Sequence, residues 1–263
     1  MKITHHPFTN TDAEFELIKK LLLEVENHPE LDNCWEPNRM DGWRYKVHAE
    51  KDVDFFRANA HYWNTATDHT GTSQVVALFL SEYGKDDFFV VVHPNFLGLV
   101  SDVLSWGLEF WAPGKAKIGT DVYTFGHHKI DPLIAAGFYE DGHIENVRTY
   151  HLGDYDFSYN LKPGFKLVSF AEYGNYESRV KLAQNAFDNP NSSEAGYRSL
   201  QSSPNYQPEL DLVVVNPEGK CVAYCIGWLE EDNPTTGCIE PMGTHSEYRK
   251  NGFGKALAKE CFK

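Results

Sequence analysis

Near the end of the 263-residue chain, Arg249, Gly252 and Gly254 stand in an Arg-x-x-Gly-x-Gly spacing. A strand-like run at 238–244 precedes them and a helix-like run from about 252 follows. Loop amides and a helix N-terminus aimed at one spot make an anion site. Gly252 and Gly254 carry no Cβ to obstruct phosphate oxygens, and Arg249 and Lys250 add positive charge. Two common phosphate loops do not fit. A Walker A loop needs Gly-Lys followed by Ser or Thr, whereas Gly254-Lys255 is followed by Ala256. A dinucleotide fingerprint needs Gly or Ala three residues after its second glycine, where Leu257 stands.

The elements that must position this loop are legible upstream. Residues 165–170 read as a strand and 176–187 as a helix that ends before Asn189-Pro190-Asn191. Strands at 211–215 and 221–229 follow, separated by a turn at 216–219; a second turn at 231–234 leads into 238–244. Segment 188–209 is polar and carries no motif.

Much of this order is also traceable in the first half. Thr9-Asn10-Thr11-Asp12 offers an N-cap for a helix over about 11–27 with Phe15, Leu17, Ile18, Leu21, Leu22, Leu23 and Val25 at helical spacing. Residues 30–70 read as irregular or helical in pieces. A β-hairpin is expected from 73–80 and 87–92 around a turn at 83–86, then an amphipathic helix from Leu97 to Trp111 that stops at Pro113-Gly114. A strand at 117–125, a short helix ending near 135–138 and a strand at 146–152 complete it. Turn signals in 153–164 mark a linker. The chain therefore reads as two copies of one α/β unit of about 130 residues.

Composition narrows the function. The formal charge of −14, with no basic run, opposes binding to nucleic acid phosphates or anionic membranes and suits a cationic amine. No apolar leader or 18-residue apolar stretch occurs, so a cytoplasmic protein without membrane contact is expected. The five cysteines, Cys34, Cys221, Cys225, Cys238 and Cys261, include no Cys-x-x-Cys pair and read as reduced core thiols. The twelve histidines, among them His5-His6, His61, His69 and His127-His128, show no metal-ligand spacing, so no metal is expected. The six tryptophans, Trp35, Trp43, Trp63, Trp106, Trp111 and Trp228, are expected in the core.

Arg249-Lys250-Asn251-Gly252-Phe253-Gly254 resembles the (Gln/Arg)-x-x-Gly-x-(Gly/Ala) signature of the GNAT superfamily of N-acetyltransferases, and both the preceding strand and Lys255-Ala256-Leu257 match as well. The resemblance covers about 26 residues. It implies an α/β fold of two tandem GNAT-like domains, each a mixed, mostly antiparallel sheet flanked by helices, similar in layout to tandem proteins of the mycothiol synthase type. It places a degenerate domain at 1–152, a linker at 153–164 and an acetyl-CoA-binding domain at 165–263.

In such a domain the segment Arg249, Lys250, Asn251, Gly252, Phe253, Gly254 and Lys255 would hold the CoA pyrophosphate through its amides. Backbone groups of Met242, Gly243 and Thr244 would run beside pantetheine, one amide polarising the thioester carbonyl. The family's usual Val at the last of these is Thr244 here. Aligning 89–95 with the strand ending at Thr244-His245-Ser246-Glu247 sets Leu97 opposite Arg249, Val100 opposite Gly252 and Asp102 opposite Gly254, so the first half lacks all three phosphate-binding features.

The implied activity is acetyl-CoA-dependent N-acyl transfer to a small amine; the oligomeric state is open, a homodimer being one option. The alternative is a catalytically inactive GNAT-fold binding or scaffold protein. Direct attack by a neutral amine needs an oriented thioester and a base. Glu240 is the candidate base, four residues before Thr244 and hence on the same face of a regular strand; a bulge at Pro241 would reverse this. Glu230 and Glu231 at the hairpin tip are weaker candidates. The family adds a strand, a helix and two strands after this helix, whereas nine residues follow Gly254, so the second domain is expected to lack its C-terminal strands.

Overall fold

The computed structural model describes residues 2–263 except 29, 32–33, 48–52, 67–72, 145–149, 154 and 230–235. The chain divides into two units, Met1–Arg44 with Glu50–Glu145, and Tyr45–Ala49 with Asn146–Lys263. Each holds one four-stranded antiparallel sheet with helices against it, the α/β class read from the sequence.

In the first unit, β1 (Ile3–Pro7), β2 (Ala60–Thr65), β3 (Val75–Leu80) and β4 (Phe89–Val92) lie side by side in that order. Helix α1 (Asp12–Glu26) starts where the Thr11 hydroxyl caps the Glu14 amide and the Glu14 carboxylate returns to the Thr11 N–H. Its stripe of Phe15, Ile18, Leu21, Leu22 and Val25 is buried, while Leu17 is exposed. Two short helices, α2 (Pro37–Asp41) and α3 (Val53–Asn59), occupy the irregular stretch. The other face of the sheet carries α4 (Val100–Trp106), which continues as a π-helical turn over Gly107–Trp111, and α5 (His127–Ala135). Strands β3 and β4 are buried at every position, which fits a sheet covered on both faces.

In the second unit, β5 (Lys166–Ser169) leads through α6 (Phe170–Tyr173) into α7 (Tyr176–Phe187) and α8 (Glu194–Leu200). Strands β6 (Asp211–Val215), β7 (Cys221–Leu229) and β8 (Gly237–Thr244) follow, then α9 (Phe253–Cys261); the sheet order is β5-β6-β7-β8. One face buries Phe170, Leu182, Tyr197, Val213, Tyr224 and Ile226 under α7 and α8. The opposite face buries Leu212, Val214, Ala223 and Cys225 under Phe253 and Leu257 of α9.

Several expectations change. Residues 117–125 form no strand: Gly119 makes one parallel bridge to Asp87, and the alternation serves instead to pack Ile118 and Val122 at the core margin. Strands β1 and β2 and helix α8 were not foreseen. The strand expected at 146–152 lies mostly outside the described residues, and Tyr150–Leu152 is irregular. Five tryptophans are buried, but Trp106 is half-buried and lies against the His61 ring at 4.0 Å. Cys221 and Cys225 are buried free thiols, whereas Cys34 and Cys261 are half-buried and Cys238 is exposed. No helix among the described residues is long and apolar enough to cross a membrane.

Candidate active site

Strand β8 is an edge: it pairs with β7 through Thr244↔Ala223, Gly243↔Tyr224 and Met242↔Cys225. The His245 N–H bonds to the Val222 carbonyl at 2.9 Å. Alternation along an antiparallel ladder then turns the backbone groups of Gly243 toward β7 and those of Met242 and Thr244 toward the open edge. A Cβ on Gly243 would come within 3.0 Å of Tyr224, Ala186 and Phe187, so packing against α7 by itself demands a glycine there.

The chain leaves β8 through His245, whose Nδ1 accepts from the Glu247 N–H at 3.3 Å and starts a 3-10 turn over Ser246–Tyr248. Tyr248 anchors this turn, its ring packed into the α9-side core and its hydroxyl accepting from Asn216 Nδ2 at 3.1 Å. Beyond it the backbone swings out. Arg249 is extended, Lys250 has φ 62°, and Gly252, at φ 80°, is the N-cap of α9. Such a φ at Gly252 would cost an L-residue roughly 1–2 kcal/mol. The first main-chain bond of α9 runs from the Ala256 N–H to the Gly252 carbonyl, and no side chain caps the helix. The amides of Phe253, Gly254 and Lys255 therefore precede the helical ladder, at the positive end of the helix dipole. Lys250, Gly252 and Lys255 are exposed around them, and Asn251 Nδ2 braces the turn by donating to the Tyr248 carbonyl at 2.9 Å.

Arg249 is placed differently from the expectation that it adds charge to the loop. Its Nε donates to the Thr244 carbonyl at 3.3 Å and one terminal nitrogen to the Ala186 carbonyl at 3.2 Å, in the last turn of α7. The side chain thus ties the loop to the end of β8 and to the negative end of α7.

Glu240 lies in the irregularity that the sequence pattern flagged. The register of β8 against β7 shifts between Cys225↔Met242 and Gly227↔Ile239, where the Glu240-Pro241 peptide is cis. Ile239 packs on the α9 side with Met242 and Thr244, so Glu240 faces the α7–α8 side, opposite Thr244. Its carbonyl accepts from Trp228 Nε1 at 2.6 Å and its side chain is exposed. Glu230 and Glu231 lie outside the described residues.

A polar network on that same face was not foreseen. Arg179 is 3% exposed, and its guanidinium sits 3.2 Å from the centre of the Tyr224 ring and 4.7 Å from that of Tyr197. Asp211, fully buried, accepts through Oδ2 from the Tyr197 and Tyr206 hydroxyls. Burial raises the Asp211 pKa against the opposing pull of Arg179 and the two tyrosines. Lys46, from the 45–49 segment of this unit, is brought down to about 8, first by burial and then by Arg179, against Asp211 and Glu240, which raise it. The readable signal was Arg179 itself, a cation within the apolar stripe Tyr176, Leu182, Ala183 and Ala186 of α7.

The comparisons with known proteins agree with this geometry. A family model described as the acetyltransferase (GNAT) family matches residues 178–263, the stretch from α7 through α9. Over 99% of its length the chain has the fold of a GCN5-related N-acetyltransferase from Sphaerobacter thermophilus, at TM-score 0.56 and 17% identity, covering 81% of that chain. It is similarly related to a tandem GNAT protein from the clavulanic acid biosynthesis pathway, at TM-score 0.52 and 14% identity, with 98% of this chain and 83% of that one covered. No curated protein matches the sequence. The architecture is thus a tandem GNAT fold, and the family match to its second half supports an acyltransferase.

Proposed function

We propose that the second unit binds acetyl-CoA and transfers its acetyl group to a small amine. The observation that carries this reading is the loop 249–255: two left-handed residues open it, and three amides stand ahead of the first helical bond beside two exposed lysines. That arrangement suits a pyrophosphate. Lys250, Asn251, Gly252, Phe253, Gly254 and Lys255 would line the phosphates, with Arg249 holding the loop in shape. The open-edge backbone of Met242 and Thr244 would hydrogen-bond pantetheine and polarise the thioester carbonyl. The amine nitrogen bonds to that carbonyl carbon, the carbon–sulfur bond breaks, and Glu240 takes the amine proton. With Glu240 as the base, the amine would approach from the α7–α8 face, not from the Thr244 side that a regular strand would have given.

In this reading the catalytic domain is 165–263, joined through 153–164 to a degenerate domain at 1–152, in a cytoplasmic protein that works without metal, nucleic acid or membrane. A second reading, a GNAT-fold binding protein without turnover, is favoured by the Arg249 guanidinium being spent on backbone carbonyls. Calorimetric titration with acetyl-CoA, followed by a thiol-release assay against a panel of amines, separates the two. Binding with CoA release establishes the transferase, and binding without release against any amine establishes the second reading. Absence of binding removes both.

A further inference from the structure

The second unit also holds two cysteines on facing elements that the proposed reaction does not use. Cys225 of β7 is fully buried and points to the α9 side, and Cys261, the last residue of α9, is half-buried against the same cluster. The two thiols are near enough that each shifts the pKa of the other. The gap that brings them together is made by Gly227, two residues along β7 on the same face: a Cβ there would lie 2.3 Å from the Cys261 sulfur. The remaining thiol of this face-to-face packing, Cys221, belongs to the opposite core, and Cys238 is exposed on β8.

We propose that Cys225 and Cys261 are a reversible redox pair, oxidised by a hydroperoxide to a disulfide that pins the end of α9 to β7. Their roles differ. The Cys225 thiol lowers the Cys261 pKa against burial, while Cys261 and burial raise that of Cys225. Cys261, also the more accessible, is the nucleophile. Its thiolate attacks the peroxide oxygen, the O–O bond breaks, and Cys261 becomes a sulfenic acid as hydroxide leaves. The Cys225 sulfur then attacks the Cys261 sulfur, the S–O bond breaks, and the hydroxyl departs as water with the Cys225 proton. Two thiols and one peroxide thus give one disulfide and two waters. The disulfide brings the sulfurs to about 2.05 Å, in space that Gly227 keeps open.

The test treats the full chain with stoichiometric hydrogen peroxide and maps peptides by mass spectrometry without reduction. The expected product links the peptides bearing Cys225 and Cys261, lacks two hydrogens, and reverts with dithiothreitol. In Cys225→Ser the link is lost, and dimedone labelling of Cys261 rises several-fold because its sulfenic acid has no resolving partner. In Cys261→Ser no intramolecular link forms and Cys225 stays unlabelled. A Cys238→Ser control leaves the link unchanged, and circular dichroism of each variant checks folding. Cys261 carried to sulfinic acid without a link in the wild-type chain, or oxidation confined to Cys238, overturns the proposal. None of these readouts depends on acetyl-CoA binding.

Discussion

At the end of β4 the His93 Nδ1 accepts from the Asn95 N–H at 3.1 Å, and at the end of β8 the His245 Nδ1 accepts from the Glu247 N–H at 3.3 Å. His93 N–H reaches the Val76 carbonyl as His245 N–H reaches that of Val222, both at 2.9 Å, and Val92 pairs with Ala77 as Thr244 pairs with Ala223. The two corners then part. In the first unit the 3-10 turn over Pro94–Leu99 runs directly into α4, the Val100 N–H bonding to the Leu97 carbonyl and the Val100 side chain buried. In the second the chain swings out through Lys250 and Gly252 before α9 begins. The first unit also fills the space beside its edge strand with Val90, Val100, Leu104, Val122 and Leu133, leaving a cavity of about 10 Å³, room for roughly one water. The difference teaches that a strand and a histidine corner make the scaffold, and that two left-handed residues open the loop proposed here to hold a pyrophosphate.

Substitutions that exchange features between the corners break or sharpen this contrast. The largest effect is expected of Val100→Gly, which removes a buried side chain and adds a helix-start glycine at a cost of about 3 kcal/mol. Chemical denaturation should record that loss while acetyl-CoA affinity stays unchanged. Gly252→Val does the reverse: a β-branched residue at φ 80° costs about 2 kcal/mol in this loop. Calorimetry should show acetyl-CoA binding weakened roughly 30-fold. Lys255→Glu should weaken it by roughly two- to fivefold, less at high salt, through its position at the start of α9. In the first unit Asp102→Lys, at the position opposite Gly254, should create no binding, because that unit has no opened loop to receive an anion.

The smallest effect concerns the shared corner. Burial, the first cause, lowers the His93 pKa against the opposing pull of Glu24. The unfolded chain therefore takes up the proton first as pH falls below about 6.5, and stability contributed above that value is lost toward the lower folded pKa. His93→Asn, which can still accept from Asn95 but does not titrate, should flatten the stability profile below about pH 6.5. Denaturation midpoints across that range check it.

The parts legible in the sequence were those specified by neighbours along the chain. The start of α1 within Thr9-Asn10-Thr11-Asp12, the span 176–187 of α7 and the loop at 249–254 each rest on local residue types. Strands β1 and β2 were missed because Ile-Thr-His-His-Pro and Ala-His-Tyr-Trp-Asn-Thr are half polar and become strands by pairing with each other and with β3. The side of the sheet taken by Glu240 depends on a register shift that Pro241 suggests but does not settle. The network around Asp211 joins α7, α8, β6 and residues 46 and 206, so only the fold assembles it.

The bracing of the loop by Arg249 bears on how such signatures are read. The arginine is the most recognisable letter of the pattern, yet its guanidinium is engaged with the carbonyls of Thr244 and Ala186. Its presence is a mark of masonry, required for the loop to stand whether or not a nucleotide ever arrives. A search that scores this arginine as a ligand would score an occupied loop and an idle one alike. The glycine at 252 carries the sharper information.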